Sequence, residues 1–128
     1  MKNITIATAI IGSFALGVGT ASVLAQGTAP YYEVAEINVK DQAGYESSGV
    51  DKVREAIKAN GGKVIAGGYN KATSVEGSAP ANRVLITVYP SKEAADKAWS
   101  DTIRPWMKSV QGKFAEARVI GVQGIESK

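Results

Sequence analysis

From Tyr31 onward the apolar positions change period several times, and each change marks an element. Tyr31 to Val39 alternates, with Tyr31, Ala35, Ile37 and Val39 on one side and Tyr32, Val34, Glu36 and Asn38 on the other, which predicts a first strand. Asp41 then suits the N-cap of a helix running to Asn60, with Val50, Val53 and Ile57 at helical spacing and Gly61-Gly62 as the stop; Gly44 and Gly49 weaken its first half. Lys63 to Ala66 and Asn70 to Val75 read as one strand interrupted at Gly67-Gly68 by a bulge. Glu76 to Asn82 is rich in turn-forming residues and leads into a clean third strand, Arg83 to Tyr89. Pro90 ends that strand and Ser91 caps a helix through Ser100. Asp101 or Thr102 caps a second short helix that tolerates Pro105 in its first turn and stops at Gly112. A last strand, Phe114 to Gln123, follows.

Strand, helix, strand, strand, helix, strand is the split βαβ order, an α+β, ferredoxin-like βαββαβ fold with a four-stranded antiparallel sheet and both helices on one face. The other face is bare. Alternation assigns to it Tyr32, Val34, Leu85, Tyr89, Ile120 and Val122 together with Glu36, Asn38, Arg83, Thr87 and Arg118. That mixture is too apolar for a solvated surface and too charged for a plain core. Two such faces packed together would enclose a partly polar interior in which Glu36 pairs with Arg83 or Arg118, because an unpaired buried charge is costly. The expectation is a homodimer through the sheet face, with a pocket for a small molecule.

The stretch before Tyr31 has a different character. Lys2 is the one charged residue ahead of Glu33; an apolar run from Ile4 to Val18 follows, and Val23-Leu24-Ala25 suits signal peptidase. Residues 1–25 therefore predict a signal peptide, 26–30 a linker and 31–128 a single domain, with a periplasmic or secreted destination and membrane contact only through the precursor segment. An uncleaved membrane anchor is the competing reading of the same stretch. Removing the segment takes Lys+Arg from 15 to 14 against 12 acids. The charges are interleaved, which argues against nucleic acid as a partner. With no His and no Cys, the chain has no imidazole base, no thiol nucleophile, no disulfide and neither of the usual soft metal ligands. Gly67-Gly68 is not followed by the strand-to-helix turn that phosphate binding requires. No cofactor, metal or catalytic constellation is expected.

The run from Tyr32 to Gly124 contains "VAEINVKDQAGY", "ANGGKVIAGG", "VEG", "RVLITVYPSKEAADKAW" and "VIGVQGIE". With this joint spacing of Gly61-Gly62, Glu76-Gly77, Arg83, Pro90-Ser91 and Trp99, it resembles the domain-of-unknown-function family numbered 1330, in its signal-bearing subgroup. The chain departs from that pattern after Trp99, at "SDTIRPWMKSVQGKF". The resemblance implies a ferredoxin-like protomer of the dimeric α/β-barrel group, pairing sheet to sheet, and implies no settled activity. Candidate ligand-binding residues are Tyr32, Glu36, Tyr45, Arg83, Tyr89 and Arg118. For Tyr45 the plainer reading is an aromatic at the core edge, for Arg83 and Glu36 an ion pair across the dimer, and for Trp99 core packing. Trp106, after Pro105, reads as a partly exposed interface aromatic. Two functions fit: a dimeric binding protein for a small, partly apolar organic molecule, or a cofactor-independent enzyme, monooxygenase- or isomerase-like, acting on a small activated substrate through Arg83 or Arg118 and a Tyr or Glu proton carrier.

Overall fold

The computed structural model describes residues 29–126; the expected signal segment lies outside them. Strand β1 (Tyr31–Val39) is followed by helices α1 (Gln42–Glu46) and α2 (Val50–Ala59), strands β2 (Lys63–Tyr69) and β3 (Arg83–Tyr89), helix α3 (Lys92–Ala98), a π-helical turn (Trp99–Ile103), helix α4 (Arg104–Val110) and strand β4 (Ala115–Gln123). The sheet order is β2-β3-β1-β4 and every pairing is antiparallel, giving the ferredoxin-like arrangement.

Local chemistry explains most boundaries and three departures from expectation. Asp41 does cap the first helix, accepting a hydrogen bond from the Gly44 N–H at 3.0 Å. That helix breaks before α2, however, because Gly49 takes φ +99°, a left-handed conformation that no helix interior holds. Gly67-Gly68 lies inside paired strand rather than at the bulge. The register shift falls between Val64 and Ala66, and residues 70–75 form loop, turning away at Asn70 with φ 55°. Gly67 is required where it stands, since its φ is +112° and any Cβ there would drive into the Val84 carbonyl of β3.

The two helices expected after Ser91 are one bent helical run. Trp99 and Arg104 both keep right-handed helical backbone, and neither Asp101 nor Thr102 acts as a cap. Pro105 has no N–H to offer its preceding turn, and the helix absorbs this with a π turn in which the Arg104 N–H reaches back five residues to the Trp99 carbonyl. Asn82 extends the β1–β3 pairing: its side chain accepts from the Val39 N–H and donates to the Val39 carbonyl, both at 2.8 Å.

The cross-strand rows determine which residues face the helices. Tyr69, Arg83, Ile37 and Ala117 share one row, Gly67, Leu85, Ala35 and Val119 the next, and Val64, Thr87, Glu33 and Gly121 a third; these rows lie beneath the helices. The interleaved rows, Ala66-Ile86-Val34-Ile120 and Gly68-Val84-Glu36-Arg118, form the open face. The facing assigned to β3 from its sequence is therefore corrected. Arg83, Leu85, Thr87 and Tyr89 point toward the helices, and Val84, Ile86 and Val88 lie on the bare side. Replacing Gly67 by Ala is expected to destabilise the domain by about 2 kcal/mol or more, from left-handed strain and the clash with β3. Urea unfolding checks this, and Gly77→Ala, which carries a similar left-handed strain at φ +97° but meets no neighbouring atom, should cost less and so isolates the clash.

Candidate functional site

A small residue in the middle inward row, Ala35, leaves room above the sheet that the helices do not fill. The result is a cavity of about 720 Å³ roofed by α2 and the α3-to-α4 run, within the size range of small-molecule sites. Apolar side chains dominate its walls, including Val53, Ile57, Leu85, Ile103 and Trp106. Exposed Lys58 and Lys63 stand at its rim.

Arg83 is the unusual group inside. It is 8 % exposed, it belongs to no ion pair among the described residues, and its Nε has no hydrogen-bond partner. Aromatic rings surround it instead: the guanidinium carbon lies 4.5 Å from the Tyr69 ring centroid and 5.7 Å from that of Tyr45. The nearby acid is already engaged, since Glu46 accepts a 2.6 Å hydrogen bond from the Tyr69 hydroxyl and contacts Arg54 at 3.6 Å. Burial and that bond to Glu46 push Tyr69 up to about 12. Burial likewise raises Tyr45, opposed by the positive charge of Arg83. Tyr45 is held in place by an edge-on contact with Trp106 at 5.6 Å, whose indole N–H donates to Ser48 Oγ at 2.9 Å. Trp106 is thus a wall of the cavity, packed against both core clusters.

Glu33 lies at the other end, opposite Thr87 of β3. Burial drives its carboxyl up to about 7; the neighbouring Trp99 indole opposes the rise, and Asp96 adds to it. The Trp99 Nε1 and the Tyr89 hydroxyl are both buried without a hydrogen-bond partner. Glu33 was not among the residues singled out from the sequence, although a signal was present: it is the one charged residue in the inward set Tyr31, Glu33, Ala35, Ile37, Val39.

Residues 30–125 match the family described as a domain of unknown function, DUF1330. The chain belongs to that family. Its fold is similar to the crystal structure of RPA0582, a protein of unknown function from Rhodopseudomonas palustris, at 17% identity and a TM-score of 0.59, covering 91% of this chain and 98% of that one. The structure of methylated RPA0582 is similar at 18% identity and a TM-score of 0.57, covering 90% and 94%. No curated protein matches the chain.

In this DUF1330 chain the six residues singled out from the sequence divide between two faces. Tyr45 and Arg83 meet in the cavity, with Tyr89 buried beneath its Glu33 end. Tyr32, Glu36 and Arg118 lie on the open face, where Arg118 pairs with Glu36 at 3.2 Å. The expected pairing of Glu36 with Arg83 does not form, because Arg83 is in register with Ile37 and so points the opposite way. The raised Glu33 carboxyl has a signed consequence for stability. A folded-state value near 7 against 4.5 unfolded gives a contribution fully present below pH 4.5 and lost as pH rises to 7. Relative to Glu33→Gln, the protein should lose about 1–2 kcal/mol across that window, allowing for solvent screening of a half-buried group. Denaturant unfolding of the two proteins at pH 4.5, 6 and 8 checks it; parallel curves would show an unshifted carboxyl.

Proposed function

We propose that this chain is an exported, dimeric binding protein for a small, partly apolar organic anion, held in the cavity between sheet and helices. The single observation that carries the reading is Arg83. A buried guanidinium with aromatic neighbours and, among the described residues, no ion-pair partner suits the oxyanion of an acid, which would supply the opposing charge. The apolar walls favour an organic body over an inorganic ion, and the rim lysines favour approach of negative charge. Export rests on the order of residue types in residues 1–25.

The dimer is supported by the composition of the open face. Ile86, Val34 and Ile120 run across it in one row, and Ile120 and Val122 are 41% and 46% exposed. A second copy related by two-fold symmetry offers the same apolar row in return. The enzymatic alternative draws on Glu33, whose carboxyl near 7 is suited to proton exchange at neutral pH.

Two measurements test these readings. Arg83→Met should abolish thermal stabilisation by aromatic carboxylates while leaving the domain as stable as before or more so, because a buried unpaired charge is removed; retained carboxylate binding would refute the role of Arg83. Light scattering of the mature chain should report a dimer, and Ile86→Lys, which places a charge in the middle of the apolar row, should give monomers.

A further inference from the structure

Arg83 has no ion-pair partner among the described residues, although a carboxylate stands close by. Glu46 directly follows Tyr45, whose ring centroid is 5.7 Å from the guanidinium carbon. One side chain, Tyr69, touches both the cation and the acid. Its ring lies over the guanidinium at 4.5 Å, and the hydroxyl on that same ring donates to Glu46 Oε2 at 2.6 Å. The other carboxylate oxygen, Oε1, meets Arg54 at 3.6 Å.

Of these two tethers the phenol is the stronger. Arg54 is half exposed and is shared with Asp51, and a long contact between exposed charges holds a carboxylate weakly. An O–H···O⁻ bond of 2.6 Å is short and charge-assisted. Without it, the buried guanidinium would attract Glu46 more strongly than Arg54 does, because water screens it less. Little stands in the way of such a turn. Glu46 is the last residue of α1 and its side chain is 37% exposed, so rotation about its own bonds moves no packed structure.

We propose that Tyr69 is a positioning residue for the anion site: its hydroxyl withholds Glu46, an acid of the chain itself, from Arg83, and so keeps the guanidinium open to the oxyanion of a ligand. The inference rests on the anion-binding reading of the cavity and adds to it an internal competitor. The cavity wall is formed without Tyr69 or Glu46, so the effect of Tyr69 on a ligand passes through Glu46 and Arg83 rather than through direct contact.

Tyr69→Phe removes the hydroxyl and keeps the ring over Arg83. Calorimetric titration with cinnamate at pH 7 should show about a tenfold or greater loss of affinity in this variant, the value of a hydrogen bond to a charged group. Adding Glu46→Gln to it should restore the affinity of the unaltered chain, since the competitor is then neutral; Glu46→Gln alone should bind at least as tightly as the unaltered chain. Rescue separates withholding from a structural role, because a site damaged by loss of the hydroxyl would not recover when a second residue is changed. Full affinity in Tyr69→Phe, or a loss that Glu46→Gln does not restore, would overturn this inference and leave the Arg83 reading standing. Failure of the unaltered chain to bind cinnamate would overturn both.

Discussion

An arginine buried without an acid is the constraint around which this domain is arranged. Enclosing a guanidinium costs several kcal/mol unless something compensates, and here the compensation is partial: two tyrosine rings flank the cation, and among the described residues it has no ion-pair partner. Glu46 belongs to Tyr69 and Arg54. Tyr69 therefore does double duty, presenting its face to Arg83 while its hydroxyl fixes Glu46 away from it. Such an arrangement keeps a cation available inside an apolar cavity, which is the electrostatic condition for recognising an organic anion.

The sheet separates two tasks by alternation. Its helix-facing rows carry Arg83, Thr87 and Glu33 around a floor in which Ala35 is small, while the interleaved rows carry Val84, Ile86 and Val88 to the open side. The charged Arg83 and Glu33 thus lie on the covered face, while Val34, Ile86 and Ile120 form an apolar row on the open one. The Glu36–Arg118 pair on the open face is well exposed, at 41% and 69%, so it contributes little to the stability of one protomer.

The bent helical run above the sheet positions the remaining wall. The extra residue of its π turn lets Pro105 sit without a broken bond and carries Trp99 over Glu33, with Ile103 buried behind it. Trp106, one residue beyond the proline, meets Tyr45 and Ser48 on the other side. The segment after Trp99 thus supplies Ile103, Trp106 and Met107 to the cavity wall.

Much of this was legible in the chain. Period-2 alternation, the caps at Asp41 and Ser91, and the order of elements determined four strands, their helices and the ferredoxin-like fold, because these signals are local. Alternation divides a strand into two sets, but it does not say which set lies inside; that depends on register against the neighbouring strand. In β3 the purely apolar set looked like core and went outward, so Arg83 was placed with Glu36 when its row belongs to Ile37. The same ambiguity hid Glu33, whose inward position becomes meaningful only once Thr87 and Trp99 are brought beside it from distant parts of the chain. The sequence by itself determined the elements, the missing chemistries of His and Cys, and the family. Only the tertiary structure decided which polar side chains share a cavity, since convergence across strands and helices is a property of register and packing that no local pattern encodes.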